Sequence, residues 1–135
     1  MIFNRRSLIA MAGIALATTF AIAPSDARTS NFSVSGYNKL LKSGKPFLIG
    51  VHTTWCTSCA AQKRVINTLK QNKPYRGLRL VEMDWDKYRG SKIGRDLRIP
   101  RRSTLIMFNA KGKEVGRIIA GTGRSQIKRL IDKGI

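Results

Sequence analysis

Cys56 and Cys59 are the two cysteines of the chain, and they stand where one pattern of apolar residues gives way to another. Residues 47–51 (FLIGV) form a short continuous apolar run, which is typical of a strand buried on both faces. Beyond the cysteines, Ile66 and Leu69 share one helical face with Cys59. The C-x-x-C pair therefore follows a buried strand and opens a helix, which places both thiols on one side of its first turn.

The short spacing of the cysteines indicates a disulfide for exchange rather than for stability. A structural disulfide acts mainly by closing a long loop of the unfolded chain, and a bridge across two residues restrains that chain little. Cys56 is the predicted nucleophile, because unpaired backbone N–H groups and the helix dipole stabilise a thiolate at a helix N-terminus. Cys59 is then the resolving thiol, which breaks the mixed disulfide with a substrate.

The N-terminal segment has the layout of a secretory signal. Arg5-Arg6 form a short basic region, and residues 8–23 (LIAMAGIALATTFAIA) are uncharged and mostly apolar. This run is shorter than the about 20 residues that span a bilayer. We expect cleavage after Ala27, which divides the chain into a signal peptide, residues 1–27, and a mature domain, residues 28–135.

Export leaves two questions open at this stage. The arginine pair also fits twin-arginine export, although an ordinary Sec signal is favoured. The expected location is the periplasm or another exported compartment, with an uncleaved N-terminal membrane anchor as the alternative. In an oxidising compartment a disulfide is the expected state of two neighbouring cysteines.

The mature chain alternates predicted helices and strands after a polar lead-in. Strands are predicted at 47–51, 78–83, 104–108 and 114–119, and helices near 37–41, 59–72, 91–97 and 125–133. Strands that alternate with helices indicate parallel pairing, and the terminal hairpin adds an antiparallel part. The prediction is an α/β three-layer fold, a mixed four-stranded sheet flanked by helices. Gln62 is expected on the solvent side of the second helix.

Three features carry a resemblance to a known family: the motif Trp55-Cys56-Thr57-Ser58-Cys59, the strand Thr104–Phe108 and the glycines at 112, 116 and 121. In this order they resemble the thioredoxin family, and the resemblance covers essentially the whole mature sequence. The resemblance implies a thioredoxin-like fold without cofactor or bound metal, and a Cys56–Cys59 disulfide that is exchanged with exported thiol proteins. The resemblance favours a role as a periplasmic reductant that receives its electrons from a membrane donor. We expect the protein to be a monomer.

Two positions depart from the family pattern. Gly50 stands where the family has a buried aspartate six residues before the first cysteine, so no internal carboxylate is expected beside the second thiol. Ser103 stands where the family has a cis-proline before the Thr104 strand, and the nearest proline is Pro100. A non-proline cis bond costs about 3–4 kcal/mol, so we expect Ser103 in trans unless a rearranged loop lets Pro100 take its place.

The remaining candidate site residues surround the cysteines. Thr57 and Ser58 are expected to tune the thiolate by hydrogen bonds, and Ser103 and Thr104 to lie beside the disulfide. His52 is either a proton carrier near the sulfurs or a ring packed at a strand end. Trp55 is a docking surface, a cover for the disulfide, or both. Arg101-Arg102 steer acidic partners or form a solvated loop.

The charge of the chain allows further interpretations. With 26 Lys and Arg against 7 Asp and Glu, the formal net charge is +19. Such a field favours binding to acidic proteins and anionic membrane surfaces, whereas export and the lack of a nucleic-acid-binding motif argue against nucleic acid as a partner.

An alternative function is a metal-binding module for copper, zinc or a bridging iron–sulfur cluster, with Cys56, Cys59 and His52 as ligands. A basic, non-catalytic surface module is a third hypothesis.

Overall fold

The computed structural model describes residues 29–135, so the predicted signal peptide at 1–27 lies outside the described residues. In chain order the elements are β1 (Thr29–Asn31), α1 (Val34–Leu41), β2 (Phe47–His52), α2 (Thr57–Leu69), a 3₁₀ turn (Lys73–Tyr75), β3 (Arg79–Asp84), α3 (Trp85–Tyr88), α4 (Lys92–Asp96), β4 (Thr104–Phe108), β5 (Glu114–Ile119) and α5 (Arg124–Asp132). Among these residues, none of the helices has the length and apolarity needed to cross a membrane.

One mixed sheet carries the fold, with strand order β1-β3-β2-β4-β5. β1 and β2 both pair parallel with β3, whereas β4 pairs antiparallel with β2 and with β5. The mixed α/β architecture is as predicted, but the sheet has five strands rather than four. The carboxyl ends of β1, β2 and β3 consequently lie at the same end of the sheet.

The additional strand is β1, which lies in the segment predicted to be a polar lead-in. Its three residues, TSN, are polar and show no buried position, so no alternation of apolar residues marks it. Backbone pairing with β3 defines the strand, and Phe32 directly after it donates its N–H to Glu82 O at 2.8 Å. The Phe32 side chain is buried and fixes the end of this edge strand to the core.

Hydrophobic cores cover both faces of the sheet. On one face α2 and α5 pack against the strands, and on the other face α1, α3 and α4 do so. Neighbouring residues of a strand point to opposite faces, so Leu48 joins the first core and Phe47 the second. All five residues of β4 are buried, as expected for a strand between two others with helices on both sides. The C-x-x-C segment thus connects the buried strand β2 to α2, whose inner face packs on the sheet.

Candidate active site

Cys56 and Cys59 form a disulfide at the N-terminus of α2, with their Cα atoms 5.3 Å apart. Cys56 is the residue that caps the helix, and its Sγ accepts a hydrogen bond from the Cys59 N–H at 3.2 Å. This donor is one of the unpaired N–H groups of the first helical turn. A thiolate formed at Cys56 is therefore stabilised by a hydrogen bond that the helix itself supplies.

Ser103 faces the disulfide from the loop before β4. Its side chain is fully buried, and its Oγ lies 3.1 Å from the Sγ of Cys56 and 3.1 Å from the Sγ of Cys59. Residues 29–135 contain no cis peptide bond, so Ser103 is in trans as expected, and Pro100 is exposed. The sequence left open whether Ser103 or Pro100 takes the cis-proline position beside the sulfurs. In the structure the hydroxyl group of Ser103 occupies it.

The backbone of Ser103 has an uncommon conformation that the surroundings hold in place. Its φ is +60°, in the left-handed region that residues other than glycine rarely adopt. The Ser103 N–H donates to Val51 O at 2.8 Å, and Ser103 O accepts from the N–H of Ala120 at 2.9 Å and from Nε2 of Gln62 at 2.9 Å. Left-handed backbone of this kind is concentrated at functional sites when neighbours determine it.

Gln62 is buried in α2, and its predicted position on the solvent side was wrong. Its Nε2 donates to Ser103 O and also to Gly121 O at 2.8 Å, so one amide joins the loop before β4 to the loop after β5. The residue type suggested exposure, because glutamine is usually exposed. The signal for its role is its place one turn after Cys59, on the face that carries Ile66 and Leu69.

A second hydroxyl extends the contact with the sulfurs. Ser58 Oγ lies 2.5 Å from Ser103 Oγ and 3.4 Å from Cys56 Sγ, and its residue is half-buried. Thr57, by contrast, is exposed at the start of α2. Thr104 is buried, and its Oγ1 donates to Arg101 O at 2.7 Å, so it holds the loop on which Ser103 lies.

Trp55 forms the exposed edge of the site, with 59% of its surface accessible. The Arg102 guanidinium lies over its ring, 4.3 Å from the ring centroid, in cation–π geometry. Arg101 beside it is exposed. The sulfurs are thus bordered by an aromatic ring that a fixed positive charge covers.

His52 ends β2 and is half-buried. Together with Cys56, Cys59, Lys63 and Glu82 it lines a surface cavity of about 190 Å³. The structure thereby brings the histidine to the same cavity as both sulfurs. Within the described part of the chain, no group of three or more His, Cys, Asp or Glu side chains is placed so that it could hold a metal ion.

A carboxylate that the sequence analysis did not single out, that of Glu82, shares a cavity with the resolving cysteine. Glu82 is the partner of Gly50 in the parallel pairing of β2 and β3. Gly50, Glu82 and Cys59 are among the residues that line a small cavity of about 20 Å³, and Glu82 Oε1 forms an ion pair with Lys63 Nζ at 2.7 Å. The sequence signal for it is the single acidic residue within the otherwise apolar stretch LVEM.

Comparisons with known proteins agree with this geometry. The thioredoxin family model matches residues 28–133, which is most of the chain. Sequence comparison with curated proteins gives no match.

Three solved structures illustrate the similarity. Trxlp from Edwardsiella tarda EIB202 is 27% identical, with a TM-score of 0.69 over 77% of this chain and 98% of that protein. Mitochondrial thioredoxin 3 from Saccharomyces cerevisiae in its oxidised form is 21% identical, with a TM-score of 0.64 over 81% of this chain and 98% of that one. A mutant thioredoxin from Halobacterium salinarum is 18% identical, with a TM-score of 0.67 over 83% of this chain and 94% of that one.

Proposed function

The chain belongs to the thioredoxin family and is a thiol–disulfide oxidoreductase, and from this premise we propose that it is exported and reduces disulfides of other exported proteins. The observation that carries the redox assignment is the Cys56–Cys59 disulfide at the N-terminus of α2, with the capping sulfur bonded to a helix N–H. The export assignment rests on the signal-like sequence of residues 1–27.

In the proposed reaction the Cys56 thiolate attacks a partner disulfide, R–S–S–R′. One partner thiolate leaves and takes up a proton, and a mixed disulfide Cys56–S–S–R remains. The Cys59 thiol then loses its proton and attacks the Cys56 sulfur, which forms the Cys56–Cys59 disulfide and releases R–SH. Two electrons have passed to the partner, and a membrane electron donor is needed to return the protein to its dithiol form.

The proposed partners are exported proteins with an acidic surface near their disulfide. Arg102 over the exposed Trp55 ring offers a positive and aromatic contact directly beside the sulfurs. The proposed cleavage removes Arg5, Arg6 and Asp26, which leaves 24 Lys and Arg against 6 Asp and Glu, a net charge of +18. This charge increases the rate of encounter with acidic proteins and also favours contact with anionic membrane surfaces. The protein is proposed to act as a monomer.

The reduction potential of the Cys56–Cys59 couple tests the proposed direction. The mature domain is equilibrated with glutathione buffers, and the free thiols are trapped and counted. A value near about −270 mV, as in thioredoxin, is expected for a reductant. A value near about −120 mV would overturn this direction and make the protein a donor of disulfides to exported chains.

Cell fractionation of the full chain tests export separately. The expected result is a periplasmic protein whose N-terminal residue is Arg28. Recovery of the protein in the cytoplasm with Met1 intact contradicts the export proposal.

A further inference from the structure

We propose that Ser103 and Ser58 form a hydroxyl relay that carries the proton of Cys59 away when this thiol resolves the mixed disulfide. The inference rests on the proposed function and adds two catalytic residues to it. Ser103 Oγ touches the reacting sulfurs, and Ser58 Oγ connects Ser103 to the half-exposed start of α2.

The distances define a continuous path of hydrogen bonds. Cys59 Sγ and Ser103 Oγ are 3.1 Å apart, Ser103 Oγ and Ser58 Oγ are 2.5 Å apart, and Ser58 Oγ and Cys56 Sγ are 3.4 Å apart. Each contact lies within hydrogen-bonding distance for its pair of atoms. The path therefore begins at the resolving sulfur and ends beside the sulfur that carries the substrate.

The donor and acceptor capacity of the two hydroxyls fits a relay. A serine hydroxyl donates one hydrogen bond and accepts up to two. In the mixed disulfide, the Cys59 S–H donates to Ser103 Oγ, and the Ser103 O–H donates to Ser58 Oγ. The Ser58 O–H is then directed toward the Cys56 sulfur and the leaving thiolate, so every donor on the path has an acceptor.

The step balances without any further reactant. As the Cys59 sulfur forms its bond with the Cys56 sulfur, the Cys56–S–S–R bond breaks and the electron pair leaves on the partner sulfur. The Cys59 proton moves to Ser103, the Ser103 proton moves to Ser58, and the Ser58 proton passes to the departing thiolate or to water. Both serines end as neutral hydroxyls.

The position of Ser103 is what makes the path possible. Its left-handed backbone, φ +60°, aims the Oγ at the sulfurs, and bonds from Gln62 and to Val51 hold that backbone. A left-handed conformation is strained for a residue other than glycine and persists only where its neighbours determine it. The loop therefore holds the hydroxyl in contact with both sulfurs of the disulfide.

Any pH measurement must distinguish the effect of the serines from that of other ionisable groups near the sulfurs. His52 approaches from β2, Lys63 from α2 and Glu82 from β3, where all three line the cavity shared with the cysteines. Arg102 lies over Trp55 on the loop side. His52 and Glu82 are the competing proton acceptors, because both also line the smaller cavity beside Cys59.

A two-phase reaction of the reduced protein with 5,5′-dithiobis(2-nitrobenzoate) tests the relay. Attack by Cys56 releases the first coloured thiolate, and resolution by Cys59 releases the second, so the steps are measured separately by stopped flow. In Ser103→Ala and Ser58→Ala we expect the second phase near neutral pH to slow about 100-fold, the low end for loss of acid–base assistance. Ser58→Thr, which retains a hydroxyl, should restore most of the rate.

The pH profile and the solvent isotope effect identify a proton path rather than a structural role. In Ser103→Ala the second-phase rate should rise about tenfold per pH unit below the ionisation of Cys59, because only preformed thiolate reacts. The wild-type rate should vary less steeply and should decrease in D₂O more than that of Ser103→Ala.

Each other outcome overturns a specific statement. An unchanged second phase in both alanine variants rejects the relay, and slowing in Glu82→Gln instead assigns the proton to Glu82. If Ser58→Thr is as slow as Ser58→Ala, the hydroxyl is not the active feature and the relay is also rejected. A missing first phase in the wild-type protein contradicts the proposed function itself. Rejection of the relay by the second-phase results does not affect the proposed function.

Discussion

Glu82 faces Gly50 across the parallel pairing of β3 and β2, so a carboxylate on one strand stands beside a position without a side chain on the next. A Cβ built at Gly50 meets only Leu80 Cδ1 at 3.4 Å and Leu105 Cδ2 at 3.6 Å, which are ordinary contacts. The carboxylate that shares a cavity with the resolving thiol therefore lies on a different strand than the family pattern indicates.

Replacing Glu82 by Gln should raise the reduction potential of the cysteine couple. Removal of a negative charge near Cys59 stabilises thiolates, and thus the reduced state. Because the ion pair with Lys63 is partly exposed, we expect an effect of about 0.2–1 kcal/mol, or roughly 5–20 mV. Glutathione equilibration measures it, with Asp96→Asn in the exposed pair with Lys92 as control. A lower potential contradicts the prediction.

Replacing Cys59 by Ser should trap the protein on its partners. Without the resolving thiol, the mixed disulfide formed by Cys56 persists and is visible on non-reducing gels of periplasmic extract. Cys56→Ser should form no such adducts and should reduce insulin only at the background rate. Full insulin reduction by Cys56→Ser would reject the assignment of the nucleophile.

Replacing Gln62 by Leu should destabilise the protein by about 1–3 kcal/mol, because Gly121 O loses its bond from Nε2 and Ser103 O loses one of two donors. Urea unfolding measures the change. Asn67→Ala, at an exposed position of the same helix, is the matched control. Equal stability of Gln62→Leu and the wild-type protein would show that this amide does not support the loops.

Replacing Arg102 by Ala should slow the reduction of acidic substrates selectively. The loss of the charge over Trp55 lowers the rate of encounter with an acidic peptide disulfide at low salt, and high salt should diminish the difference. A neutral peptide disulfide should react at a nearly unchanged rate. Arg129→Ala, in the last turn of α5, is the control. Equal slowing with both peptides would contradict electrostatic steering.

The ionisation of Asp132, at the end of α5, should make the stability of the protein depend on pH in the acidic range. Hydrogen bonds from Lys128 Nζ, first, and from Tyr75 OH hold the pKa of Asp132 below its ordinary value. A lowered folded-state pKa adds stability above the unfolded pKa, and this is lost as the pH falls through the folded pKa. The difference in Tm between the wild-type protein and Asp132→Asn should therefore shrink from about pH 6 to about pH 2. A constant difference would contradict this linkage.

The sequence predicts strands and helices well where apolar periodicity is strong. β4 and β5 have their predicted bounds, and α4 lies inside its predicted range. β4 is marked by a continuous apolar run between polar segments. β1 escaped prediction because its pairing uses backbone groups alone. The same distinction applies to the site. The C-x-x-C spacing in the sequence identified both cysteines, whereas the contacts of Gln62 and Glu82 arise only when elements distant in the sequence pack together.

The parallel direction of β1 also determines how the chain enters the fold. Thr29 begins β1 beside Leu80, at the end of the sheet where β2 and β3 begin, whereas the disulfide follows the opposite end of β2. Any polypeptide that precedes Thr29 therefore joins the molecule on the side away from the sulfurs.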